Sequence, residues 1–153
     1  MKKETKKKIR ILGGFLFFCY MLSLVYFLFF AESYGRMPQS REYALNLYPF
    51  HEIRRFWVYR QQLGIFAVAA NLAGNIIGFI PFGMILPIIC PRSGSFFRIL
   101  LLSLEFSLSV EILQLVFQVG SFDVDDLILN TLGGITGYLL FQICNRVRRK
   151  LYG

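Results

Sequence analysis

The sequence predicts an all-α fold, an integral membrane bundle of four transmembrane helices with an interfacial helix in the first outer loop. Two observations predict it. Of the 153 residues, 56% are hydrophobic and only 17% charged, well outside the range of soluble domains. The apolar residues also gather into four runs, and Lys and Arg flank those runs in the manner of topology signals. The formal net charge of +8 is therefore read as membrane orientation rather than nucleic-acid binding.

Residues 1–10 form a basic cytoplasmic head, Met-Lys-Lys-Glu-Thr-Lys-Lys-Lys-Ile-Arg, ahead of an apolar run from Ile11 to Ala31. That run exceeds the roughly 7–15 residues of a cleavable signal core, and no small-x-small site follows it, so it reads as an uncleaved first span. Residues 32–64 change character, with a turn at Tyr34-Gly35-Arg36-Met37-Pro38. After Pro49, Phe50, Ile53 and Trp57 recur on one helical face beside Arg54 and Arg55, which suits a short helix lying in the interface. Arg54, Arg55 and Arg60 are candidates for contact with lipid headgroups or a lipid-linked phosphate. The structural alternative is an aromatic belt with snorkelling arginines.

The second span covers Ile65 to Cys90 and carries Pro81 and Pro87. A proline removes a backbone donor, so a kink or break is expected near Ile80-Pro81-Phe82-Gly83. Asn71, Gly74, Asn75 and Gly78 share a face, and Ala70-x-x-x-Gly74-x-x-x-Gly78 has the spacing of close helix packing. A short turn with Arg92 and Arg98 leads to a third span, Ile99 to Val119. Ser103, Ser107, Glu111, Gln114 and Gln118 fall within an arc of about 80° on that helix. Glu105 stands about 120° away from Glu111 and must find another partner or sit protonated. A charge at bilayer depth costs about 2.5–3.5 kcal/mol, so Glu111 is expected to face protein.

The corner from Gly120 to Asp126 holds three acids and no base. Asp123, Asp125 or Asp126 could each cap the fourth span, which runs from Asp126 to Ile143 with Asn130, Gly133 and Gly137 on one face. Residues 145–153 form a basic tail, leaving 11–144 as the membrane domain. Placing both termini in the cytoplasm puts twelve of the 17 Lys and Arg inside. The acidic corner and the aromatic loop then share the outer face, where Asp123 or Asp125 could pair with Arg54, Arg55 or Arg60. Cys19, Cys90 and Cys144 lack metal-ligand spacing and read as small buried hydrophobes. No metal or cofactor is expected.

Four motifs stand in order: Asn46-Leu47-x-Pro49-Phe50, Asn75-Ile76-x-x-Phe79-Ile80-Pro81-Phe82-Gly83, Ser107-x-x-x-Glu111-Ile112-x-Gln114, and Asp123-x-x-Asp126-x-x-x-Asn130-Thr131-x-Gly133-Gly134. Together, over residues 45–140, they resemble the VanZ-like family of bacterial membrane proteins. The resemblance implies a multi-pass protein of the bacterial cytoplasmic membrane. The family's founding member is associated with low-level resistance to the glycopeptide teicoplanin. The family supplies no catalytic residues to carry over, and Gly120-Ser121 stands where relatives often have an arginine.

Three functions fit these residues. An envelope protein could lower access of lipoglycopeptides to the outer leaflet or to lipid-linked cell-wall precursors. An intramembrane enzyme or lipid-handling protein could use Glu111 as acid or base, with Asn75 and Gln114 orienting a polar group, and Asp123, Asp126 and Asn130 completing the site. A structural bundle would spend the same residues on helix packing and on a homo-oligomer through its glycine faces.

Overall fold

A computed structural model describes residues 3–31 and 45–152; the turn expected at 34–38 lies outside them. Four of the described helices are long and apolar enough to cross a membrane, and the protein is a membrane protein of the expected all-α class. Helix α1 spans Lys3–Tyr26 and continues as a π-helical turn, Phe27–Ala31. Helix α2 spans His51–Val58, α3 Arg60–Leu63, α4 Ile65–Ile89, α5 Phe96–Val116 and α6 Val124–Tyr152. A two-residue strand, β1 (Leu45–Asn46), pairs in parallel with β2 (Phe122–Asp123).

Both basic ends are helical. The head residues from Lys3 onward belong to α1, and the tail through Tyr152 extends α6 beyond the expected stop at Ile143. These positions tolerate the helix because Lys and Arg are good helix formers once the chain leaves hydrocarbon.

Helix α4 stays helical through both prolines, so of the kink or break expected near Pro81 the break does not occur. The reason lies in its neighbour. A Cβ on Gly133 would stand 2.2 Å from the Ile76 carbonyl oxygen, one on Gly137 2.0 Å from that of Ile80, and one on Gly83 1.8 Å from that of Gly134. Backbone therefore lies on backbone along α4 and α6, and this tight contact holds the proline-bearing helix in shape. The glycine face of α6 is thus filled within the chain, and a second copy has no access to it. Gly74, expected to share in close packing, has nothing within 4 Å of its hypothetical Cβ.

Helix α1 leans on α4, with Tyr20 Oη donating to the Gly78 carbonyl at 2.9 Å. Leu24, Phe79 and Val110 form a buried cluster joined by Phe106, whose ring stacks on Phe82 with centroids 4.9 Å apart. Cys19 and Cys144 face outward from the bundle rather than into it, and Cys90 sits half-buried at the end of α4. On those two spans the outward surface meets lipid, which accommodates a small thiol as readily as a protein core does.

The two ends of the bundle differ in kind. Arg10 Nε donates to the Ile89 carbonyl at 3.3 Å, and Arg10, Pro91, Asn145, Arg148 and Arg149 line one recess. Both termini and the α4–α5 turn therefore share a basic end. The acidic corner, the strand pair and α2 share the other.

Candidate functional site

The corner is assembled from six elements tied by polar side chains. Asp123 ends β2 and caps α6: its Oδ1 accepts the Asp125 N–H at 2.8 Å, the geometry of an N-cap bonding the second helical residue. The same oxygen accepts Asn46 Nδ2 at 3.0 Å, fastening β1 to β2. The Asp123 N–H donates to Glu111 Oε2 at 3.0 Å, which joins α5. Asp126 accepts a hydrogen bond from Asn75 Nδ2 and so joins α4. Gln114 Nε2 donates to the Leu28 carbonyl at 3.0 Å and joins the end of α1.

Asp125 does something the sequence reading missed. Its carboxylate is 1% exposed and accepts the backbone N–H groups of Phe50, of Glu52 at 2.8 Å and of Ile53 at 3.1 Å. It is an external cap for α2. The N-cap of that helix is Phe50, which has no side-chain acceptor and sits at φ 65°, a left-handed conformation unfavourable for a bulky residue. The unsatisfied N–H groups of a helix start attract an anion, and Asp125 supplies it from 75 residues away. The legible signal was negative: Pro49-Phe50-His51 offers no Ser, Thr, Asp or Asn to cap the helix that follows.

The polar stripe on α5 is confirmed in part. Ser103, Ser107, Glu111 and Gln114 are all buried, and Asn130 Nδ2 donates to Ser107 Oγ at 3.0 Å. Gln118 leaves the stripe. Helix α5 ends at Val116, and Gln118, at φ 54°, is the left-handed residue of a Schellman turn in which the Val119 N–H reaches the Gln114 carbonyl at 3.0 Å. The structure thus brings Glu111, Gln114, Asp123, Asp126, Asn75 and Asn130 to one side of the bundle, as neighbours along α4, α5 and α6.

The expected pairing of these acids with the loop arginines does not form among the described residues. Arg55 pairs with Glu52 at 2.6 Å on its own helix. Arg60 donates to the Trp57 carbonyl at 2.7 Å and lies over the Trp57 ring at 4.8 Å from its centroid. Arg54 is exposed. Backbone N–H groups are fixed and need no long side chain to be ordered, so they outcompete mobile guanidinium groups for buried carboxylates. What remains open to the outside is a platform on α2 and its approach: Tyr48, Phe50, Trp57 and Val58 are all exposed, with Arg54 among them.

Comparison with known proteins agrees with the motifs. The family model described as VanZ/LLP1 matches residues 17–145. The chain is 30% identical over 142 residues to Protein VanZ of Enterococcus faecium, an alignment covering 90% of this chain and 78% of that protein. No solved structure matches it.

Proposed function

The chain belongs to the VanZ/LLP1 family, and from that premise we propose that it lowers susceptibility to teicoplanin-like lipoglycopeptides by engaging them, or the lipid-linked precursors they bind, at the outer face of the bacterial cytoplasmic membrane. The observation that carries this reading is how the corner spends its polar groups. Asp123, Asp125, Asp126 and Glu111 each hold a backbone or amide donor; Glu111, Asp123 and Asp126 fasten the corner to α5, β1 and α4, and Asp125 holds α2 on it with its aromatic and basic residues outward. An amphipathic surface of Trp, Tyr, Phe and Arg at a membrane interface suits a ligand that has both an acyl chain and polar or phosphate groups.

The test is expression in a susceptible Gram-positive host. The wild type raises the inhibitory concentration of teicoplanin, and a chain carrying Arg54→Gln with Trp57→Ala returns it to the empty-vector value at equal membrane abundance. An unchanged teicoplanin profile on wild-type expression removes the reading. The acid–base alternative is separated by Glu111→Gln. The Gln carbonyl still accepts the Asp123 N–H, so the phenotype persists if Glu111 is a strut and disappears if it transfers a proton.

The reading requires the acidic end outside and both termini inside. Support comes from the gathering of Arg10, Arg92, Arg98 and the α6 tail at the opposite end. Cys90 lies at that basic end, in the turn after α4. Its thiol is held below the ordinary range chiefly by a hydrogen bond with the Ser93 side chain; backbone N–H groups of Ser93 and Arg92 and the Arg92 charge add to this, and partial desolvation opposes it. A lowered thiol pKa means a larger thiolate fraction at neutral pH than an ordinary cysteine has, so alkylation there is faster than for an ordinary thiol. In a chain with Cys19 and Cys144 replaced by Ser, a membrane-impermeant maleimide labels Cys90 in inside-out vesicles and not in intact cells. Labelling of intact cells reverses the topology.

A further inference from the structure

Among the described residues Glu105 is the one acid on the membrane spans whose carboxyl the bundle does not use. It lies within about 2 Å of the midpoint of α5 at 1.5 Å per residue, on the outward side of the helix. Only its backbone carbonyl is engaged, accepting Ser109 Oγ at 2.7 Å. No described residue pairs with its side chain, whereas Glu111, Asp123, Asp125 and Asp126 are all hydrogen-bonded. At this depth an ionised carboxylate facing lipid is costly, and intramembrane acids normally face a partner.

The surrounding surface has a pattern of its own. Leu101, Glu105, Leu108 and Ile112 follow one another at spacings of four, three and four, and all four are exposed. This is the seam of a left-handed helix pair, in which a single polar position fixes register and partner number.

We propose that this seam of α5 joins two copies of the protein about a two-fold axis normal to the membrane, with the two Glu105 carboxyls paired across it. In such an isologous contact a residue near the axis meets its own copy. A neutral carboxylic acid is both donor and acceptor, so two of them satisfy each other with reciprocal hydrogen bonds. A second copy arrives in the same orientation and at the same depth, placing Glu105 opposite Glu105. The seam also suits a homodimer because the glycine face of α6, the other close-packing surface, is already occupied by α4.

The experiment uses the full chain purified into lipid nanodiscs and mild detergent, with mass measured by native mass spectrometry over a range of protein-to-lipid ratios. Wild type is dimeric, Glu105→Gln stays dimeric because an amide can also donate and accept, and Glu105→Leu self-associates about tenfold or more weakly, the size expected for losing two interhelical hydrogen bonds. Oxidative cross-linking provides the independent measurement in a chain whose three native cysteines are Ser. Leu108→Cys on the seam forms a disulfide dimer, and Leu113→Cys, turned off the seam on the same helix, does not. A wild type that is monomeric throughout, a Glu105→Leu variant that dimerises as well as wild type, a Glu105→Gln variant that is monomeric, or equal cross-linking at 108 and 113 overturns the proposal. So does a monomer that purifies with a different polypeptide covering the seam.

Discussion

Replacing Asp125 by Asn releases α2 from the bundle and costs about 3 kcal/mol of stability, the range for charge-assisted hydrogen bonds lost around a buried group. The carboxylate accepts three N–H groups at once. An Asn retains a single acceptor oxygen and turns an N–H₂ group toward donors, so donor faces donor where an anion stood. With the anion gone, nothing compensates for the left-handed Phe50. Hydrogen exchange reads the effect locally: amides 50–53 exchange much faster in Asp125→Asn, while amides in the middle of α4 and α6 keep their protection. Global loss of protection, or an unchanged rate at 50–53, contradicts the role given to Asp125. Under the proposed function, Asp125→Asn also loses the protection against teicoplanin while the spans stay folded, which ties that protection to the platform itself.

The second large effect lies in the α4–α6 contact. Gly133→Ala and Gly83→Ala each put a methyl group inside van der Waals distance of a carbonyl on the facing helix, where backbone cannot yield as a side chain could. Each costs upward of about 3 kcal/mol, at or beyond the usual range for overpacking. Gly74→Ala is the internal control. Nothing approaches that position, so the helix gains up to about 1 kcal/mol of propensity from the loss of glycine. Thermal unfolding in one detergent, scored by retained fold, ranks the three: Gly74→Ala at or above wild type, the other two far below. A Gly133→Ala chain as stable as wild type shows that the helices do not touch as described.

How much of this was legible in the sequence depends on the distance over which each interaction acts. The spans follow from hydropathy, because lipid exposure imposes composition residue by residue. The buried faces of Ser103, Ser107, Glu111 and Gln114 follow from helical periodicity, which is equally local. Asp125 reads in the sequence as a possible cap for its own helix or a partner for a loop arginine, and not as a cap for α2, because an N-cap is ordinarily supplied from within the turn and here it comes from 75 residues away. The arginine pairings were inferred from charge and shared location, and they fail because backbone donors reach the carboxylates first. The continuity of α4 was hidden for a related reason. Pro81 and Pro87 argue for a break when α4 is considered alone, and only the glycines of α6 show what restrains it.

The two-residue ladder between β1 and β2 also sets an order of events during biogenesis. Asn46 and Asp123 are 77 residues apart, and α4 and α5 lie between them. Spans can insert one after another as they leave the ribosome, but contacts so far apart in sequence form late. The platform of α2 therefore stays unfastened until the start of α6 has reached the same end of the bundle, because Asp123 and Asp125 both reside there. A chain arrested after α5 would display α2 without its anion and β1 without its strand. Capping of α2 by Asp125 thus reports that the last span has arrived, and the fastened strand pair distinguishes finished molecules from unfinished ones.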